Sequence, residues 1–180
     1  NIFIYKLSDD SVVETIDVSS GQVTGTGSTQ ITINPSNDLA EQISYYIQID
    51  GTSFDDFNGN SYPGISDKTS LSFTTADETS PTLSSSTPAD NATAVATTSN
   101  IVLNFSEAVD VESGNIVIYK SSDGSTVETF NVASSGLISG NGSTQITINP
   151  SSDLDEKTQY YVNIAATAFD DSADNSYAGI

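Results

Sequence analysis

Carboxylates and side-chain amides cluster at matching places in two copies of one pattern. Asp55-Asp56-Phe57-Asn58-Gly59-Asn60 is followed by Asp67, and Asp170-Asp171-Ser172-Ala173-Asp174-Asn175 repeats the arrangement. A third acidic group joins Asp77 and Glu78 with Glu107, Asp110 and Glu112. Calcium takes six to eight oxygens from carboxylates, amide carbonyls, backbone and water. Each cluster offers several such oxygens within a short span. Asp55, Asp56, Asn58, Asn60 and Asp67 are therefore candidate Ca2+ ligands in the first copy, and Asp170, Asp171, Asp174 and Asn175 in the second. Asp77, Glu78, Glu107 and Asp110 form the junction candidate, where a shared cation would clamp neighbouring domains. The spacing is not that of an EF-hand, because no Glu stands at the twelfth position. The competing readings are a polar turn that uses Asp, Asn and Gly for their backbone preferences, and a solvated acidic linker.

Composition narrows the chemistry further. Twenty-four Asp and Glu face only Lys6, Lys68, Lys120 and Lys157, for a net charge of −20. Such a charge repels phosphate backbones and anionic lipid surfaces, so neither nucleic acid nor membrane docking is expected. No apolar run approaches membrane-spanning length. Histidine and cysteine are absent, which removes the usual general base, zinc ligand and thiol nucleophile. Serine and threonine are abundant but have no evident activating base. Paired carboxylates can hydrolyse glycosides, yet acidic residues are so common here that proximity says little. There is no tryptophan to stack on a sugar. Tyr62 and Tyr177, beside the acidic turns, are expected to pack against the end of the fold, with glycan contact as the alternative. An enzyme is not expected. Lys6 and Lys120, at equivalent strand ends, read as solvated edge charges.

The elements that must position these groups read as β-strands. Ile101, Leu103 and Phe105 alternate on one face, as do Tyr160, Val162 and Ile164, Tyr45, Ile47 and Ile49, and Leu71 and Phe73. Asn1–Lys6 and Asn115–Lys120 are apolar on both faces and suit central strands. Turn chemistry separates them at Ser8–Ser11, Ser122–Ser125, Gly140–Gly142 and Asn58–Asn60. Asp38–Gln42 and Asp153–Lys157 have room for one helical turn each. Short strands with frequent turns indicate an antiparallel β-sandwich.

The chain also repeats itself. Asn1-Ile-Phe-Ile-Tyr-Lys6 returns as Asn115-Ile-Val-Ile-Tyr-Lys120, and Gly27-Ser-Thr-Gln-Ile-Thr-Ile-Asn-Pro35 as Gly142-Ser-Thr-Gln-Ile-Thr-Ile-Asn-Pro150. Ser61-Tyr-Pro-Gly-Ile65 returns as Ser176-Tyr-Ala-Gly-Ile180. A self-match this long means tandem domains rather than a short-period solenoid. The expected organisation is the C-terminal part of one repeat at 1–76, a linker at 77–81 stiffened by Pro81, and a second repeat at 82–180 that lacks its last strand. By this register the first copy lacks counterparts of Pro81–Gly114. An excerpt from a longer array is the leading explanation, and strand complementation between neighbouring chains in a filament is the rival.

Ser86-Thr-Pro-Ala-Asp-Asn-Ala-Thr-Ala-Val95 followed by Asn100-Ile-Val-Leu-Asn-Phe-Ser-Glu107 resembles the opening of bacterial Ig-like domains of the S-layer SbsA type. Gly114–Ile118, Ile146–Pro150 and Tyr160–Val162 resemble that family's middle strands, and Asp56-Phe-Asn-Gly-Asn60 its Asp-x-x-Gly-Asn turn. The second copy departs there, with Asp174 where the family has Gly, which puts an identical turn conformation in question and adds a carboxylate. The resemblance implies tandem Ig-like sandwiches in a secreted or cell-surface adhesin-like protein or extracellular fibre. It implies a spacer role, neighbouring repeats as partners, and calcium in some members. A glycan- or protein-binding module is the alternative.

Overall fold

The computed structural model describes residues Asn1–Ile180 and is all-β, with no helix. It divides into two compact units, Asn1–Asp77 and Glu78–Ile180.

The first unit contains β1 (Ile2–Lys6), β2 (Val12–Ile16), β3 (Val23–Thr24), β4 (Thr32–Ile33), β5 (Ser44–Ile49) and β6 (Ser72–Thr74). Four of these form an antiparallel sheet in the order β2-β1-β5-β6, and β3 pairs with β4 as a separate ribbon. The doubly apolar β1 lies inside the sheet, as its sequence demands. Ile2 and Ile4 are buried with Ile16 and Tyr45. On the other face Tyr5 stacks on Tyr46 at 4.8 Å between ring centres. Tyr46 is thus buried as well as Tyr45, and its hydroxyl donates to Asp10 Oδ1 at 3.1 Å. Leu71 and Phe73 remain 36% and 39% exposed, more open than a half-buried strand face.

The second unit contains β7 (Leu83–Thr87), β8 (Ile101–Val111), β9 (Asn115–Lys120), β10 (Thr126–Asn131), β11 (Ile138–Ser139), β12 (Ser143–Ile148), β13 (Tyr160–Ile164) and β14 (Phe169–Asp170). One sheet runs β10-β9-β13, and the other runs β11-β12-β8-β14 with β7 also on β8. The strand expected at Ile101–Phe105 extends to Val111, because one edge of β8 is shared. Residues Val102–Phe105 pair with β7, and Asp110 and Val111 pair with β14. Leu103, Phe105, Val109, Ile146 and Ile148 from one sheet share a core with Ile116, Ile118, Phe130 and Ile164. Burying a side chain of this size contributes about 1.5–3 kcal/mol.

Both expected helical turns are absent. Gln42 and Lys157 take left-handed φ values of 55° and 52°, which end any helical run. The hydroxyl of Tyr45 accepts the amide of Ala40, and Tyr160 accepts that of Asp155. A tyrosine from the next strand thus replaces the helical hydrogen bond. Lys120 is likewise not a free edge charge, since its Nζ lies 2.7 Å from Asp155 Oδ2.

Gly140 opens the β11–β12 turn at φ +103°, and a Cβ there would lie 2.0 Å from the carbonyl oxygen of Gln145. Gly140→Ala is expected to destabilise the second unit by at least about 1–3 kcal/mol, read as a lower urea midpoint. An unchanged midpoint would mean that the turn re-forms at no cost.

Candidate metal centre

Within the second unit the structure brings together one carboxylate from each of two segments. Oxygens of Glu107 and Asp171 lie within 4.8 Å of each other. Glu107 projects from the middle of β8, and Asp171 follows β14. Asp77 and Glu107 are half-buried and Asp171 is 3% exposed. Like charges at this spacing repel by roughly 3 kcal/mol per pair at an effective dielectric constant of about 20. Two carboxylates of this kind match the oxygen preference of calcium, with backbone or water completing the shell.

Asp171 is held rigidly. Its Oδ1 accepts the amides of Ala173 at 2.8 Å and Asn175 at 2.9 Å, and its Oδ2 accepts Asn175 Nδ2 at 2.8 Å. Burial pushes its carboxyl up, but the hydrogen bonds from Asn175 and Ala173 outweigh that and hold it below the usual carboxylate value. The turn itself matches the first copy despite the change from Gly59 to Asp174. In both, the first Asp amide bonds the carbonyl of the final Asn, and φ at the fourth position is 81° in Gly59 and 67° in Asp174. Asp is among the few residues that tolerate this region, so the expected difference in conformation is not found. The side chain of Asp174 is exposed and stands outside the carboxylate group.

In the first copy the carboxylates of Asp56 and Asp67 are hydrogen-bonded within their own turns. Asp56 spends its oxygens on Asn60 and Asn58, which hold its carboxyl low, and Asp55, Asn58 and Asn60 are exposed around it. Asp67 is saturated by Ser70 and Thr69, whose hydrogen bonds hold its carboxyl far below the usual range. These are the bonds of Asp-centred turns. At the junction, Glu78 and Glu112 are exposed and lie outside the group. Asp110 instead faces Asp170 across the β8–β14 pair, where Asp170 Oδ1 is buried without a hydrogen-bond partner. Sequence reading puts Glu107 and Asp171 in two separate clusters.

Tyr177 packs edge-on against Phe105, with ring centres 5.2 Å apart, and is 5% exposed. It therefore serves the core rather than a glycan face.

The model of the bacterial Ig-like domain matches residues 2–75 and again residues 77–180, so Asp77 opens the second match. No curated protein and no solved structure matches the chain. The chain belongs to the bacterial Ig-like domain family and carries two copies of its domain in tandem.

Proposed function

We propose that the chain is a spacer segment, built of Ig-like domains of the S-layer SbsA type, in a secreted or cell-surface adhesin or extracellular fibre. Calcium at Glu107 and Asp171 would stiffen it. The observation that carries this reading is that the polar contacts shared by the two repeats serve the scaffold. Glu14 clasps the amide of Ser36 as Glu128 clasps that of Ser151. Tyr45 and Tyr160 each take up a backbone amide, and Asp56 and Asp171 each build the same turn. Domains of this family are commonly surface or extracellular repeat modules. An antibody against the chain is expected to label intact bacterial cells or their secreted fibres. Labelling only after permeabilisation would overturn the surface assignment.

Calcium supplies a separate test. A ligand present at about 100 times its dissociation constant stabilises the folded state by about 2.7 kcal/mol. For a domain of this size that is a rise in Tm of roughly 10 °C or more. Millimolar calcium is expected to raise the melting temperature, a chelator to reverse the rise, and Glu107→Gln to abolish most of it. Identical melting with calcium and with chelator would remove calcium from the proposal.

A further inference from the structure

Asparagine is followed by glycine at Asn58-Gly59 and at Asn141-Gly142. Glycine has no Cβ to shield its amide nitrogen, so that nitrogen can attack the carboxamide of the residue before it. Both asparagines are exposed, so exposure does not tell them apart. Hydrogen bonding does. Asn141 Oδ1 accepts the amide of Val111 at 2.6 Å, and the Gly142 amide donates to the Val109 carbonyl at 2.9 Å. Carboxamide and nucleophile are both pinned to β8, and Asp110 Oδ1 lies 3.6 Å from where a Gly142 Cβ would stand. Asn58 has no such anchor. Its backbone amide donates to Asp56 Oδ1 at 2.8 Å and the Gly59 amide to the Asp56 carbonyl at 3.0 Å, so these restraints lie within one turn. A Cβ built on Gly59 would meet nothing within 4 Å. This openness belongs to the turn itself. Ala173 and Asp174 hold the same places in the second repeat and are also exposed, although β7 and β8 are present there.

We infer that Asn58 is a site of spontaneous deamidation, and that β8 shields Asn141 from the same reaction. The Gly59 nitrogen bonds to the side-chain carbonyl carbon of Asn58 and gives its proton to solvent. The bond from that carbon to the side-chain nitrogen breaks, and ammonia leaves with a proton from water. Water then opens the cyclic imide. Opening at the side-chain carbonyl gives aspartate, and opening at the backbone carbonyl gives isoaspartate, which routes the chain through the former side chain. Either product adds a negative charge to a chain already at −20. Isoaspartate also lengthens the turn and draws Asn60 away from Asp56, whose Oδ1 accepts the Asn60 amide at 2.8 Å. The second repeat has Ala173-Asp174 at this place, with no carboxamide to lose. The first repeat therefore carries a slow covalent change that loosens its turn, and the matching turn of the second does not.

The test incubates the isotope-labelled full chain at mildly alkaline pH and follows the Gly59 and Gly142 amide signals. Peptide mass spectrometry places each amide-to-acid conversion. In the folded chain Asn58 is expected to convert at least about tenfold faster than Asn141, because two hydrogen bonds to β8 must open before Asn141 can react. In denaturant the two rates should come together. The double variant Asn58→Ala with Gly59→Asp, which copies the second repeat, should abolish the conversion at this turn and leave the amides of β1 and β5 in place. Equal rates for Asn58 and Asn141 in the folded chain would overturn the inference. So would an Asn58 that stays intact while the unfolded chain converts. A rate difference that persists unchanged in denaturant would belong to local sequence and would overturn the shielding by β8.

Discussion

Truncation of Phe105 to alanine is expected to cost the second unit about 3–5 kcal/mol, the range for deleting a buried aromatic ring from a packed core. Phe105 is the hub of a three-ring cluster, lying edge-on to Phe169 at 62° and to Tyr177 at 86°. Its loss removes ring-on-ring contacts as well as buried area, and it leaves a cavity lined by Phe169 and Tyr177. The loss should appear in native-state amide exchange as faster opening of β8, β12 and β14. Amides of β1 and β5, which belong to a separate core, should keep their rates. A cost under about 1 kcal/mol would mean that the cluster collapses onto the gap, which the range for this substitution makes a demanding result.

Asp171→Ala is expected to destabilise the second unit by about 2–4 kcal/mol, since two backbone amides lose their shared acceptor in a sheltered turn. Asp56→Ala removes the same acceptor from an exposed turn, where water replaces it, and should shift stability far less. The pH dependence follows from the same hydrogen bonds. The Asp171 carboxyl is held below its ordinary value of 3.8 in the folded state, so its contribution is present above that value. It is lost as pH falls through the lower folded-state value. Acid denaturation of the second unit should therefore begin below about pH 4. Asp171→Asn keeps an oxygen for the two amides but removes the charge. It should retain much of the stability, flatten the acid limb, and lose any calcium response, thereby separating the turn-building role from the ligand role. If Asp171→Asn still responds fully to calcium, the ion lies elsewhere.

Periodicity alone was enough to locate β1, β5, β9 and β13, because alternation and doubly apolar runs report directly on which faces are buried. It was insufficient for β4 and β12, which lie in the identical segments Gly27–Pro35 and Gly142–Pro150. Their lengths are decided by whether a strand such as β8 pairs alongside, a tertiary effect that no local pattern contains. The helical turns before β5 and β13 failed for a related reason. A tyrosine hydroxyl from the following strand competes for the amide that a helix would have used. The acidic turns were legible as Asp/Asn turns, and their carboxylates as candidate ligands. Their convergence was not legible, because Glu107 and Asp171 meet only once β8 and β14 have paired.

The strand order of the first unit has a mechanical consequence. β1 and β6 both run antiparallel to β5 and flank it on opposite edges, so they run parallel to each other. The chain enters β1 beside Ile49, at one end of β5, and leaves β6 beside Ser44, at the other. A pull applied between Asn1 and Thr75 would therefore load both ladders in shear. Every hydrogen bond from Ile2–Ile49 to Ser44–Thr74 would have to yield together, rather than open in turn as in a zipper. Such a sheet resists extension along its strands far better than separation across them.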